Sequence, residues 1–380
     1  MLILPLLLLA LSPIQIDGSF DDWDEGVNTT EDSNYIYLKI SMPNKVCLQK
    51  LPREKKVSIG PYVVHFSPKE MKRGVACTLD GTSISPYEAG LVFAPTTASR
   101  MFEVRVNKPK TKQPRSSFSL EKKGTFRVVS WNVKLGNLLD NPRCSTRILK
   151  ALQPDVLLLQ ELDGDDTPEK LTQFLQGALG NTWNVRMSAS NGTKRHQRLR
   201  SAIASTFPLD EIEIKRKETL KAIRANADID GTVVQFLSLH LRCCGGPTGE
   251  EEKQRQREAQ IISSAAKSST SSASIIAGDW NLVGTKKPLD IVIAKGFTVI
   301  QALQPDGALY ATWSDITSSF TPGRLDWMLF KGKNIQSSKS FVLDSSDFDV
   351  ETLTKYGLRR GDTAELSDHL PLVADFHCTK

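Results

Sequence analysis

The second half of the chain alternates short, strongly apolar strands with helical segments, and most of these strands end in polar side chains. Residues 126–133 (FRVVSWNV) and 154–162 (PDVLLLQEL) are the first two predicted strands. Residues 166–180 then form a predicted helix, with Pro168 suited to its first turn and Gly180 to its end. Buried strands that alternate with helices predict an α/β fold, in which helices cover the sheets.

The same alternation continues to the C-terminus. A short helix is expected over 146–152, and the capping-box pair Thr248 and Glu251 predicts a helix that runs to about Lys267. The remaining predicted strands are 233–241 (VVQFLSLHL), 274–278 (SIIAG), 323–330 (GRLDWMLF) and 370–376 (LPLVADF).

The first third of the chain has a different pattern. Its predicted strands alternate polar with apolar or aromatic residues, as in 35–42, 62–66 and 101–106, and no helical pattern of useful length separates them. Residues 107–123 are rich in Lys, Pro and Ser, which is typical of a linker. A length of 380 residues exceeds one domain of about 100–200 residues. We therefore predict a β-sandwich domain at 16–106, a linker at 107–123 and a larger domain at 124–380.

The N-terminus carries a short apolar run. Residues 1–11 are almost wholly apolar, but a membrane helix needs about 20 such residues. The run therefore predicts a signal peptide at 1–15 and a secreted or periplasmic protein, with a buried N-terminal strand as the alternative. No other segment is long and apolar enough to span a bilayer, so no transmembrane segment is expected.

The cysteine pattern permits disulfides, because there are six cysteines and export is expected. Cys47 and Cys77 are alone in the first third and form a plausible pair, whereas adjacent Cys243 and Cys244 are hard to join without strain. The net charge of +6 suits an anionic substrate.

Polar residues at the strand ends indicate a common site. A carboxylate next to an apolar run is costly unless it is paired, hydrogen-bonded or bound to metal. Because several predicted strands end in such polar residues, the ends of these strands are expected to lie close together. The residues concerned are Asn132, Glu161, His240, Asp279, Asn281, Asp326, Asp368 and His369.

These residue types suit one kind of chemistry. Carboxylate and amide oxygens are ligands for Mg²⁺, with Mn²⁺ and Ca²⁺ as alternatives. A histidine beside an aspartate can take a proton from water, and asparagine side chains can hold phosphate oxygens. Metal, positioned water and phosphate donors are what hydrolysis of a phosphate ester requires.

Six motifs in order carry a family resemblance. SWNV (130–133), LLQEL (158–162), LSLHL (237–241), GDWN (278–281), RLDWM (324–328) and LSDHLP (366–371) resemble the endonuclease/exonuclease/phosphatase superfamily, which includes deoxyribonuclease I. The resemblance covers residues 124–380. It implies a four-layer α/β sandwich, with two packed mixed β-sheets flanked by helices and the site at one edge.

The resemblance also implies residue roles. Glu161 would be the principal metal ligand, with Asn132 beside metal and phosphate and Asp368 as a further ligand. Asn281 would hold the phosphate, and His240 would contact it or protonate the leaving group. Arg200, at the end of a basic segment that begins at Lys194, is a further candidate for phosphate contact, with a solvated loop as the alternative.

The general base is left open between two residues. Asp279 would position or deprotonate the attacking water. His369, oriented by Asp326, is the second acid/base candidate.

The expected function is hydrolysis of phosphodiesters by a secreted, monomeric nuclease. Alternatives are a sphingomyelinase-like lipid phosphodiesterase, a phosphomonoesterase and a surface-binding protein on an inactive scaffold. The N-terminal part, with IDGSFDDW at 16–23, resembles β-sandwich domains related to family 9 carbohydrate-binding modules, which implies either a glycan contact or a purely structural role.

Overall fold

The structure is a computed structural model that describes residues 14–109, 111, 115–190, 194, 198–214, 220–266 and 271–379. Most of the predicted signal peptide, residues 1–13, lies outside the described residues. Within the described ranges, every helix is too short or too polar to cross a membrane.

Residues 14–107 form an N-terminal β region of two four-stranded antiparallel sheets. The strand orders are β1-β2-β8-β7 and β3-β4-β5-β6. The strands are β1 (Thr29–Glu31), β2 (Tyr35–Val46), β3 (Lys55–Ile59), β4 (Tyr62–Phe66), β5 (Val75–Leu79), β6 (Thr82–Ile84), β7 (Val92–Ala94) and β8 (Ser99–Asn107). Inward residues of both sheets share one core, in which the rings of Phe66, Phe93 and Phe102 pack edge to face. The expected all-β region is confirmed.

The rest of the chain forms an α/β region around two six-stranded mixed sheets. Their strand orders are β11-β12-β10-β9-β20-β19 and β13-β14-β15-β16-β18-β17. The strands are β9 (Phe126–Asn132), β10 (Val156–Leu162), β11 (Asn184–Met187), β12 (Arg200–Ser205), β13 (Asp210–Glu211), β14 (Lys221–Ile229), β15 (Thr232–His240), β16 (Ala273–Asp279), β17 (Thr298–Val299), β18 (Asp326–Gly332), β19 (Ile335–Val342) and β20 (Leu372–Cys378).

Alternate residues along the strands separate the layers of this region. In β9, Val128 enters the core between the two sheets, whereas Val129 faces the helices on the outside. The second sheet has its own outer helical layer, where Ile262 and Leu289 cover Ile276. The helices are α1 (Asn137–Asp140), α2 (Pro142–Leu152), α3 (Pro168–Leu179), α4 (Glu250–Ala265), α5 (Lys287–Ile293), α6 (Val350–Tyr356) and α7 (Asp362–Leu366). The four-layer sandwich is confirmed.

Local predictions at two helix starts had different outcomes. Thr167 caps α3, since its hydroxyl accepts a hydrogen bond from Lys170 N at 3.2 Å, and Gly180 ends that helix with a left-handed φ of 77°. The capping box before α4 was wrong, because the capping position is Gly249 and no side chain caps that helix.

The second half of the predicted linker packs on the α/β region. Leu120 is buried there, and its backbone N donates to the Tyr356 hydroxyl at 2.8 Å. Arg127 donates in turn to the Leu120 carbonyl. Packing on the α/β region therefore begins before residue 124, and the domain boundaries remain predictions.

The N-terminal β region docks directly on the α/β region through backbone groups. Val75 N donates to Ser319 O and Ala98 N donates to Gly284 O, both at 2.8 Å. Thr321 N donates to the Gln49 side chain at 2.8 Å. The two regions therefore meet along segments that are far apart in sequence.

The predicted Cys47–Cys77 disulfide is not formed, and all six cysteines, which lie within the described ranges, are free thiols. Cys77 is buried in the N-terminal core, whereas the Cys47 thiol faces the Gly284 carbonyl of the α/β region at 3.4 Å. The Cys77 side chain therefore packs in the N-terminal core, whereas the Cys47 side chain contacts the α/β region.

Candidate active site

Strand register brings three of the predicted residues into one row. β15 and β16 are parallel and β16 and β18 antiparallel, so that His240 lies opposite Asp279 and Asp279 opposite Asp326. In the other sheet, β9 and β10 are parallel, with Asn132 opposite Gln160, next to Glu161. The ends of strands from both sheets therefore meet at one edge of the sandwich.

A glycine allows the close approach of the strands that carry His240 and Asp279. A Cβ added at Gly278 would lie 2.9 Å from Leu239 C and 3.0 Å from Leu239 N, and closer still to Leu239 O. Only a residue without a side chain fits between the two strands at this point.

The backbone is strained at two site residues. Glu161 has a φ of 60° and Asn281 a φ of 50°, a region that costs a non-glycine residue roughly 1–3 kcal/mol. At Glu161 the register of β10 shifts between Leu159 and Leu162. The resulting bulge turns the Glu161 carboxylate into the site, where it accepts a hydrogen bond from Leu135 N at 3.2 Å.

Glu161, His240 and Asp279 form the first cluster of the site. His240 Nε2 lies 3.7 Å from Glu161 Oε1 and 3.6 Å from Asp279 Oδ2. The fully buried Asn132 bridges the same carboxylates, as its Nδ2 lies 3.2 Å from Glu161 Oε1 and 3.1 Å from Asp279 Oδ2. One potential ligand atom from each of the three cluster residues lies within 4.8 Å of the others.

His369 connects the two aspartates of the second cluster. Its Nδ1 lies 2.8 Å from Asp326 Oδ2, and its Nε2 lies 3.8 Å from Asp279 Oδ2. The Thr312 hydroxyl accepts a hydrogen bond from Asp326 N at 2.9 Å and fixes the start of β18. The imidazole is therefore held between two buried carboxylates.

Burial and neighbouring charges separate the two histidines. Burial lowers the pKa of His240 to about 4. Burial alone would also lower the pKa of His369, but Asp326 and Asp279 outweigh it and raise the pKa to about 10. Burial raises the pKa of Asp279 to about 8, although the charge on His369 opposes the rise. At neutral pH, His240 is therefore neutral and His369 is a cation.

The donor set fits a divalent cation. Two carboxylates and a neutral imidazole face one another at Glu161, Asp279 and His240, and hard oxygen ligands are what Mg²⁺, Mn²⁺ and Ca²⁺ prefer. His240 Nδ1 and Asp326 Oδ1 are buried and have no hydrogen-bond partner among the described residues. The site thus contains polar atoms that the protein itself leaves unsatisfied.

The other predicted residues occupy different positions. Asn281 lies in the site, where its Nδ2 donates to Asp279 Oδ2 at 2.9 Å. Asp368 accepts a hydrogen bond from Trp313 Nε1 at 3.2 Å and lies 3.8 Å from Lys134 Nζ, and it belongs to neither cluster. The metal-binding role of Asp368 therefore stays a prediction.

Arg200 does not line the cavity described below. Its guanidinium donates to the backbone carbonyls of Ser188 at 2.7 Å and Asp166 at 2.6 Å. Arg198, from the same basic segment, pairs with Asp165, and residues 195–197 lie outside the described residues. These two contacts stabilise the backbone beside β12, and the phosphate contact of Arg200 stays a prediction.

The two clusters open into a cavity of about 310 Å³ between the N-terminal β region and the α/β region. The N-terminal β region supplies Cys47, Gln49, Lys50, Arg73, Phe93 and Thr96 to its wall. The α/β region adds further residues that the sequence did not predict, among them Cys243, Cys244, Trp313 and Phe320. No strand-end pattern marks these residues, since only the docking of two distant segments brings them to the site.

Both clusters lie in a part of the chain that is similar to known proteins. A model of the Endonuclease/Exonuclease/phosphatase family matches residues 129–369. No curated protein is similar enough to the sequence to count as a match. The N-terminal β region lies outside the matched residues, so its resemblance to carbohydrate-binding domains remains a prediction.

Several solved structures are similar to this chain. An endonuclease/exonuclease/phosphatase from Bacteroides vulgatus has 14% sequence identity and a TM-score of 0.48, with 67% of this chain and 98% of that chain covered. A family protein from Leptotrichia buccalis has 15% identity and a TM-score of 0.47, with 66% and 99% covered. D. rerio TDP2 complexed with a single-strand DNA product has 16% identity and a TM-score of 0.47, with 66% and 98% covered.

Proposed function

Because the chain belongs to the endonuclease/exonuclease/phosphatase family, we propose that it is a divalent-metal-dependent enzyme that hydrolyses phosphodiesters with water. One observation carries the proposal: the clusters around Glu161 and His369 share Asp279 and open into one cavity. The mildly basic charge of the chain and the expected export favour a secreted nuclease.

Glu161 and Asp279, with His240 and Asn132 beside them, would hold the cation. A bound divalent ion would neutralise charge on the phosphoryl oxygens and orient the water. Asn132 would hold these two carboxylates in place beside the ion, because its Nδ2 donates to both of them while its Oδ1 accepts a hydrogen bond from Lys134 N at 3.1 Å.

Asp279 and His369 would share the proton chemistry. Asp279 is the better base candidate: burial raises its pKa to about 8, which makes its carboxylate a stronger base, and a cation bound beside it would favour the ionised form that accepts the proton. His369, which Asp326 and Asp279 keep protonated, would donate a hydrogen bond from Nε2 to a phosphoryl oxygen. Asn281 would hold another phosphoryl oxygen.

The cavity wall supports an anionic substrate with an aromatic part. Lys50 and Arg73 add two basic side chains to the wall of this cavity. Trp313 and Phe320 add aromatic surface to the same cavity. Phosphate beside an aromatic base is the chemistry of a nucleotide unit, which is why we favour nucleic acid over lipid.

The direct test is a substrate panel with the full-length protein. Hydrolysis of bis-p-nitrophenyl phosphate should stop with EDTA and return with Mg²⁺ or Mn²⁺. Plasmid DNA, RNA, sphingomyelin and inositol phosphates should then be compared with the same metal. Activity that is indifferent to chelation would contradict the metal role, and cleavage of sphingomyelin alone would contradict the nuclease assignment.

A matched pair of variants separates the site from general effects. Glu161→Gln removes one carboxylate charge and should reduce turnover by roughly 10²-fold or more. Asp165→Asn makes the same chemical change on a side chain that is 77% exposed, and it should leave turnover unchanged. Equal activity of both variants would remove Glu161 from the mechanism.

A further inference from the structure

Two adjacent thiols lie at the wall of the catalytic cavity. Cys243 and Cys244 are both exposed, and their Sγ atoms lie 2.9 Å apart. Both line the same cavity as His240 and Asp279. A reagent that reaches the proposed active site therefore also reaches this pair.

The loop that carries the two thiols is held on both sides. Arg255 of α4 is fully buried and donates through Nη1 to the carbonyls of Arg242 and Cys244, both at 2.8 Å. On the other side, Lys50 of the N-terminal β region donates to the Gly245 carbonyl. These contacts fix the backbone and hold the two sulfur atoms together.

The same loop connects to the catalytic residues. Leu241 N donates to the Asp279 carbonyl at 2.9 Å, and Asn281 Nδ2 donates to the Leu241 carbonyl at 3.2 Å. A change in the backbone around Cys243 would thus be transmitted to Asp279 and Asn281 through only a few bonds.

Electrostatics makes one of the thiols reactive. Contact between the two thiols lowers the pKa of Cys244 to about 6 and raises the pKa of Cys243, and the charges of Lys50 and Arg242 favour the Cys244 thiolate against burial. The thiolate is the reactive form of cysteine in exchange with disulfides.

A bond between neighbouring cysteines is strained. Consecutive Cα atoms are about 3.8 Å apart across a trans peptide, whereas disulfides usually join Cα atoms about 4.4–6.8 Å apart. Strain makes a disulfide easier to reduce, and easily reduced disulfides belong to the reversible rather than the structural class.

We propose that Cys243 and Cys244 form a redox modification site, a dithiol that a small disulfide oxidant closes into a reversible disulfide. The Cys244 thiolate attacks one sulfur of the oxidant, which forms a mixed disulfide and releases one thiol. Cys243 then loses its proton and attacks the Cys244 sulfur, which releases the second thiol. The protein loses two protons and two electrons, and the oxidant is reduced to two thiols.

Closing the ring distorts the loop and displaces Asp279 and Asn281 from their positions. A misplacement of about 1 Å in a catalytic site can cost on the order of 10²-fold in rate. We therefore expect oxidation to reduce turnover by roughly 10-fold or more, and a reductant to restore it. This effect on rate rests on the proposed function, but the modification itself does not.

The test uses the full-length protein treated with oxidised glutathione, followed by intact mass, maleimide counting of thiols and turnover. The wild type should lose the mass of two hydrogen atoms and two reactive thiols, and a thiol reductant should reverse both changes. Cys243→Ser and Cys244→Ser should not form the internal bond, and their turnover should not change with treatment in the way that the wild type does. Cys378→Ser, a change at a half-buried thiol outside the cavity, should respond like the wild type.

Three results would overturn the proposal, and a fourth would bear only on the proposed function. A persistent glutathione adduct on the wild type would show that ring closure does not occur. Loss of the response in Cys47→Ser would show that Cys47, which lines the same cavity, is the true partner. An internal disulfide that leaves turnover unchanged would contradict the link to the active site. A protein that is inactive on every substrate would contradict the proposed function, while the mass and thiol count would still test the disulfide.

Discussion

Replacing Gly278 with alanine tests the close contact of the strands that position the site. The added Cβ would lie 2.9 Å from Leu239 C, whereas ordinary van der Waals contact begins at 3.4 Å, so β15 and β16 must separate locally by at least 0.5 Å, the difference between these two distances. Overpacking typically costs about 1–3 kcal/mol, and the closer contact with Leu239 O together with the φ of 151° at Gly278 places this change at the upper end of that range or above it. With an unfolding entropy of about 2.1 cal/mol/K per residue over 380 residues, each kcal/mol lowers Tm by about 1.3 °C, so the fall in Tm should be about 4 °C or more.

The same separation moves Asp279, the residue next to Gly278. Because His240 Nε2 lies only 3.6 Å from Asp279 Oδ2, the shift should also reduce turnover, by up to on the order of 10²-fold. Thermal unfolding by calorimetry and hydrolysis of bis-p-nitrophenyl phosphate measure the two effects separately.

Gly177→Ala is the matched control. Gly177 lies inside α3, and no described atom comes within 4 Å of a Cβ added there. Alanine should stabilise that helix by about 0.5–1 kcal/mol and leave turnover unchanged. If Gly278→Ala matched the wild type in both Tm and turnover, the strand-contact argument would be refuted.

Three further predictions concern single side chains. His369→Ala should slow turnover by about 10²-fold without unfolding the protein, whereas His65→Ala, which changes a histidine paired with Glu54, should not; equal rates would exclude His369. Lys50→Met should raise KM about 10-fold, because it removes a charge-assisted hydrogen bond to the Gly245 loop in the cavity wall. Lys45→Met, a change at an exposed lysine, should leave KM unchanged. An unchanged KM in both variants would contradict a role of Lys50 in substrate binding. Burial raises the pKa of Glu103 to about 8, above its ordinary 4.5, so the stability it contributes is present below pH 4.5 and lost as pH rises through 8. Calorimetry of Glu103→Gln should show a smaller fall in Tm between these pH values, and an identical fall would contradict the raised pKa.

The strand-end pattern predicted that its polar residues would lie close together, and the structure places them so, whereas their catalytic and metal-binding roles stay predictions. Ends of neighbouring strands share an edge, which places His240 next to Asp279. Glu161 ends a strand of the other sheet and lies near them because the two sheets pack face to face. The structure also brings together Asp326 and His369, which lie 43 positions apart. The alternation of strands and helices predicted the α/β fold, whereas the four layers were implied by the family resemblance.

Other features depended on contacts that have no local pattern. Lys50 reaches the cavity only because the N-terminal β region docks on the loop at Gly245. Leu120 lies in a stretch with linker composition, yet a pocket beside Tyr356 buries it. Arg200 belongs to a basic segment, but nearby carbonyls take its donors. Tertiary packing decides each of these cases, and such packing leaves no periodic pattern in the sequence.

The docking of the two regions separates what the cavity accepts from what it does chemically. The acids and imidazoles lie on the α/β region, whereas Lys50, Arg73 and Phe93 belong to a different stretch of chain. Mutations in that stretch can alter substrate preference while the reacting groups stay untouched. Conversely, an isolated α/β region would have a cavity open on one side, so the proposed substrate preference should require both regions.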